Sequence, residues 1–83
     1  KQYKKRDSEY WNNLMNGLGE GERNQGVASL SGLLIRAVSI PDSVALELVQ
    51  SFNETHCTPP LEIEEVNATF NSIFKKHYSN KGG

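Results

Sequence analysis

Eighty-three residues, 36% hydrophobic and 23% charged, provide for one small core and exclude a large multi-domain enzyme. The net charge of −1 conceals a segregation, with Lys1, Lys4, Lys5 and Arg6 opening the chain and Lys75, Lys76 and Lys81 closing it. Residues 7–74 between them hold all ten carboxylates against only Arg23 and Arg36, a net of −8, which excludes a uniformly basic nucleic-acid binder.

The apolar periodicity is helical throughout, with no alternating run of strand length, and predicts an all-α, compact bundle of about four helices. Residues 1–6 read as a basic tail, 7–78 as the helical domain and 79–83 as a flexible tail. The first helix begins at Asp7 or Ser8, either of which can accept from a free backbone N–H of the first turn. It ends at Gly17, a residue that tolerates a left-handed backbone. Tyr10, Trp11, Leu14 and Leu18 give it an apolar side. The second starts near Asn24 as cap and carries Val27, Leu30, Leu34 and Ala37 inward, with Leu33 and Val38 widening the stripe.

Ser39-Ile40-Pro41-Asp42 breaks the pattern, because proline cannot continue the preceding helix and Asp42 is a natural cap for the next. The third helix then runs from Ser43 to about His56 and buries Ala45, Leu48, Val49 and Phe52. Thr58-Pro59-Pro60 stops it. The last helix starts around Glu62 to Glu64, with carboxylates at the positive end of its dipole, and buries Ile63, Val66, Phe70, Ile73 and Phe74. Lys75, Lys76 and His77 fall in its last turns, where cations complement the negative dipole end without any ligand.

The chemistry-bearing inventory is thin. His56 and Cys57 are adjacent and His77 is far along the chain, which matches no zinc spacing, so no metal is expected. Cys57, the single cysteine, cannot form an internal disulfide and suits a small buried hydrophobe in an intracellular, cytoplasmic protein. Asn53-Glu54-Thr55 and Asn67-Ala68-Thr69 match the glycosylation pattern but fall in expected helices. Gly17-Leu18-Gly19-Glu20-Gly21-Glu22 leads into a helix as phosphate-binding loops do, yet no strand precedes it and Glu20 and Glu22 repel anions. Arg23 and Asn24 at the helix start are the residues there suited to a phosphate, the alternative being a cap with a surface ion pair to Glu20 or Glu22. No catalytic residue and no cofactor are indicated. No apolar run reaches the roughly eighteen residues of a membrane span, and the opening KQYKKRDSEY lacks a signal peptide's apolar stretch. The chain starts at Lys1 and its only methionine is Met15, so it is expected to be a segment of a longer protein.

Five stretches carry a resemblance. They are Glu20-Gly21-Glu22-Arg23-Asn24, Leu30-Ser31-Gly32-Leu33-Leu34-Ile35-Arg36, Phe52-Asn53 with Cys57-Thr58-Pro59-Pro60-Leu61, Glu65-Val66, and Ser72-Ile73-Phe74-Lys75-Lys76-His77. In this order and spacing, over about residues 19–78, the chain resembles the primase C-terminal domain family. These are small helical domains that follow the primase–polymerase domain in phage, plasmid and mobile-element replication proteins. Phe52 stands where that family often has tryptophan, and Pro41-Asp42 shifts its usual proline-led helix start.

The resemblance implies an accessory domain of a DNA primase that assists template DNA binding and primer initiation, with the polymerising carboxylates in another domain. It would be inert as an enzyme by itself. Its partners would be single-stranded or template DNA and the adjacent primase–polymerase and helicase domains. The DNA-binding candidates are Arg23, Asn24, Arg36, Lys75, Lys76 and His77, backed by Lys4, Lys5 and Arg6, with Tyr3 or Tyr78 available for base stacking. The competing class is a docking or spacer module without nucleic-acid contact, which the body charge of −8 favours. It predicts an exposed apolar patch, for instance from Tyr10, Ile35 or Leu46.

Overall fold

Asp7 begins the first helix by its side chain: one carboxylate oxygen accepts from the backbone N–H of Tyr10 at 3.0 Å. A computed structural model describes residues 7–81, and the expected basic tail 1–6 and Gly82-Gly83 lie outside the described residues. Four helices form among the described residues: α1 (Ser8–Met15), α2 (Arg23–Arg36), α3 (Asp42–His56) and α4 (Ile63–Lys81). The fold is all-α, as the periodicity predicts.

The helix ends differ from the sequence reading in physical detail. α1 stops at Met15 with Asn16 as its cap, and Gly17 takes a φ of 109° two residues later, where only glycine is comfortable. α2 begins at Arg23 after a turn in which Glu22 N donates to Gly19 O at 3.1 Å. Asn24 is therefore inside the helix and does not cap it, and no side chain does. Asp42 is likewise the first residue of α3 behind Pro41, whose fixed φ and missing N–H suit the cap position. α4 continues to Lys81, beyond the expected boundary at 78, because no proline or glycine intervenes before Gly82.

α2 packs against both α3 and α4, and these two pack on each other. Side-chain contacts fix the directions. Asn24 at the start of α2 reaches Glu65 and Thr69 at the start of α4. Gln50 of α3 donates to Asn67 of α4 at 2.8 Å, and Tyr78 late in α4 lies 3.5 Å from the Asp42 carboxylate that opens α3. Hence α2 and α4 run parallel, with α3 antiparallel to both. α1 lies on another side of α2, where Tyr10 donates to Ser29 Oγ at 2.8 Å and Leu14 and Leu18 cover Gly26.

The core joins Leu14, Leu18, Val27, Ile35, Ala45, Val49, Phe52, Cys57, Leu61, Val66 and Phe70. Val27, Val49 and Val66, one from each long helix, are fully buried, each stabilising the fold by roughly 2 kcal/mol. The expected face of α2 turns out rotated, and one expected core residue on each of α3 and α4 is exposed. On α2 the inward line is Val27, Ser31 and Ile35, with Gly26 and Gly32 also buried, while Leu30 and Leu34 are half-buried and Leu33 and Val38 are exposed. Small residues turn inward there because they let neighbouring groups approach, whereas a ranking by hydrophobicity turns the leucines inward. On α3 Leu48 is exposed and Asn53 takes an inward place. On α4 Ile63 is exposed, with Leu61 of the preceding loop buried in its stead.

Candidate nucleic-acid interface

Three of the stretches that carry the family resemblance, 20–24, 52–61 and 65–66, meet at one end of the bundle. Leu18 N donates to His56 O at 2.7 Å and Thr58 N donates to Leu18 O at 2.8 Å, a one-residue parallel bridge between the glycine loop and the loop after α3. Arg23 Nη1 donates to the carbonyl of Pro59 at 2.6 Å, beyond the cis Thr58-Pro59 bond. Asn53, 2% exposed, clamps the same loop with both ends of its amide. Its Nδ2 donates to Leu61 O at 2.9 Å and its Oδ1 accepts from Leu61 N at 2.8 Å. These bonds serve backbone groups that the proline-containing loop cannot pair with a neighbouring helix. We call the assembly the clasp.

Two of the six sequence candidates belong to it. Arg23 holds Pro59, and its Nε is buried without a hydrogen-bond partner. Asn24 turns its Nδ2 to Glu65 Oε2 at 3.0 Å and to Thr69 Oγ1 at 3.2 Å, tying α2 to α4. Arg36 lies elsewhere. It is twelve residues beyond Asn24 on α2, about 18 Å at 1.5 Å per residue, which brings it level with the last turns of the parallel α4. Its guanidinium folds back over Gly32, where an added Cβ would meet Nη1 at 3.0 Å.

Lys75, Lys76 and His77 stand on those last turns, the two lysines exposed and His77 half-buried. An aromatic ladder runs beneath them. Phe70 is buried, Phe74 follows at 6.4 Å between ring centroids, and Tyr78, 43% exposed, lies 4.6 Å from Phe74 and 4.9 Å from His77. From Val66 to Lys81 the helix carries no carboxylate. The candidates thus divide into two sets at opposite ends of α2: Arg23 and Asn24 engaged at its start, and Arg36 and His77, both half-buried, with the exposed Lys75 and Lys76 towards the other end, near the ring of Tyr78.

Other chemistry-bearing residues have structural partners. His56 stacks on Phe52 at 4.7 Å with the rings nearly parallel, and its Nδ1 lies 2.6 Å from Thr55 Oγ1. Cys57 is buried, and burial pushes its thiol above the ordinary cysteine value although nearby Arg23 opposes the shift. That is the reverse of an activated nucleophile. No group of three or more metal-ligating side chains occurs among the described residues. Asn53 is buried in α3 and Asn67 half-buried in α4, its Oδ1 accepting from Gln50, so both glycosylation matches fall inside helices. Between α1 and the start of α2 an open cleft of about 310 Å³ is rimmed by Tyr10, Asn13, Glu22 and Gln25 over Leu14 and Leu18. Glu22 at its rim disfavours an anion. No helix among the described residues is long and apolar enough to cross a membrane.

Sequence reading missed Asn53 as a clamp, and the signal was available: an asparagine in the last turn of a helix, eight residues before Leu61, across a Pro-Pro pair that cannot donate. It missed Ser31 because a hydroxyl on an inward line looks like an error until the buried glycines beside it are seen. One family description, Primase C terminal 1 (PriCT-1), matches residues 12–79. The chain belongs to that family. Comparison of this PriCT-1 domain with curated proteins and with solved structures returned no match. Within the PriCT-1 domain, the matched range takes in the second half of α1, all of α2 and α3, and α4 nearly to its end.

Proposed function

We propose that this PriCT-1 domain is an accessory, non-catalytic part of a DNA primase of a phage, plasmid or mobile element, assisting template DNA binding and primer initiation. The polymerising carboxylates would lie in an adjacent primase–polymerase domain, with a helicase domain as a further neighbour, in the cytoplasm of the host. The observation that carries the reading is the last half of α4. Lys75 and Lys76 are exposed there beside Tyr78, on a stretch of helix free of carboxylates in a body that is otherwise acidic.

Lysines on such a face attract phosphates, and an exposed tyrosine offers a ring on which an unpaired base stacks. Arg36, level with them, adds a cation, and His77 adds a donor. Arg23 and Asn24 act in this reading as struts that hold the loops. A site with so few cations recognises the backbone rather than sequence, with a salt dependence equivalent to roughly two to five released counterions.

The experiment is a fluorescence-anisotropy titration of the 83-residue chain with labelled single-stranded DNA at low and moderate salt. The wild type should bind weakly and lose affinity with salt. Lys75→Ala with Lys76→Ala should weaken binding at least fivefold, while replacing Lys1, Lys4, Lys5 and Arg6 by serine should leave most of it. No binding at low salt, or binding that disappears with the tail charges alone, would remove the reading.

A further inference from the structure

A second face of the domain has a different character. Of the seven large apolar side chains that stand exposed among the described residues, four fall within the α2–α3 hairpin: Leu33, Val38, Val44 and Leu48. α2 and α3 pack antiparallel across a turn at residues 37–41, so positions equally far from it lie level. Leu34 is thereby level with Val44, and Leu30 with Leu48. Leu30 and Leu34 are half-buried against the core, and Leu33 stands exposed beside them on α2. Val38, at the turn, is 102% exposed.

On its α3 side the charge beside this face has one sign. α3 holds no lysine or arginine, while Glu47 and Glu54, seven residues apart and so on one side of the helix, are both exposed. Val44 and Leu48, one turn apart, form the adjacent strip. An apolar strip edged by carboxylates complements a helix that carries leucine-type residues at i, i+3 or i+4 and i+7 with lysines or arginines flanking them. The same carboxylates argue against other occupants. A second copy meeting this face by two-fold symmetry sets Glu47 and Glu54 against themselves, and nucleic acid or an anionic lipid surface meets like charge.

We infer that the outer face of the α2–α3 hairpin docks a basic amphipathic helix of a partner polypeptide. Leu48 and Val44 supply the apolar contact, and Glu47 and Glu54 orient the basic flanks. The inference is independent of the template-binding reading, which concerns the last turns of α4.

The probe is a fluorescein-labelled fourteen-residue peptide with leucines at i, i+3, i+4 and i+7 and lysines elsewhere, beside a scrambled peptide of the same composition. The 83-residue chain should bind the amphipathic peptide saturably and at least tenfold more tightly than the scrambled one. Val44→Ser with Leu48→Ser should weaken binding at least tenfold with an unchanged circular-dichroism spectrum. Glu47→Gln with Glu54→Gln, which removes charge without touching apolar contacts, should weaken it severalfold and flatten its salt dependence. Both variants should bind single-stranded DNA as the wild type does. Equal binding of the two peptides, or wild-type affinity in both variants, would overturn the inference. So would sedimentation of the chain as a dimer that Leu48→Ser dissociates, since the face would then belong to a second copy.

Discussion

The two ends of α2 carry similar residue types and use them oppositely. At its start, Arg23 and Asn24 turn their polar atoms onto Pro59 and α4, inside a clasp that includes Asn53, Leu61 and the Leu18–Cys57 bridge. At the level of its end, Lys75 and Lys76 of α4 face solvent next to the half-exposed ring of Tyr78. A cation or amide next to a helix start therefore does not define a ligand site. What separates the two ends is whether the loops nearby leave backbone carbonyls that need a donor. The loop with two prolines does, and Arg23 and Asn53 supply it.

Breaking the clasp at its most buried member should have the largest effect. Asn53→Ala leaves both Leu61 backbone groups unpaired away from water, at a cost of about 3 kcal/mol, read as a lowered urea midpoint with DNA affinity unchanged once folding is allowed for. Gly26→Val comes next. Any Cβ there collides with Leu18 Cδ1 and lies 3.1 Å from Leu14 Cδ1, so these two buried side chains must repack, at a cost of about 2 kcal/mol by thermal denaturation. Arg23→Ala sharpens the comparison most, because it separates strut from ligand. It should cost about 1 kcal/mol, reduced by the partial exposure of the bond, and leave the single-stranded DNA titration within twofold of wild type.

Smaller effects follow in the core. Ser31 is fully buried and its hydroxyl has no hydrogen-bond partner, so Ser31→Ala should be neutral or stabilising by up to about 1 kcal/mol in the same denaturation experiment. For Cys57 the sign is fixed by burial. A folded-state value raised above the unfolded one contributes stability that is complete below the ordinary thiol range and lost as pH rises through the raised value. Stability should thus be insensitive to this group through neutral pH and decline in alkali. Cys57→Ala should abolish that alkaline component.

Much of this architecture is legible in the sequence. Asp7, Pro41 and the Thr58-Pro59-Pro60 run mark the helix boundaries to within about two residues because caps and prolines act locally. The rotation of α2 is less legible, as are single positions on α3 and α4. Leu33, Leu48 and Ile63 read as core by hydrophobicity, and the expected surface residue Ile35 is 5% exposed, with Tyr10 and Leu46 half-buried. Which face turns inward depends on where neighbouring groups can approach closely, as Leu14 and Leu18 do over Gly26 and the Arg36 guanidinium does over Gly32. The candidate site was half legible. Lys75, Lys76 and His77 fall together because neighbours on one helix turn must, whereas the engagement of Arg23 and Asn24 depends on segments 36 and 41 residues away.

The most direct measurement is a two-dimensional 1H–15N NMR titration of the chain with a short single-stranded DNA at low salt. Progressive shifts at Phe74 to Ser79 and near Arg36, with the amides of Leu18, Arg23, Thr58 and Leu61 unmoved, are the predicted result. Shifts centred on Leu18, Arg23, Thr58 and Leu61, with the last turns of α4 silent, would show the clasp to be the ligand site and contradict the division of the two ends.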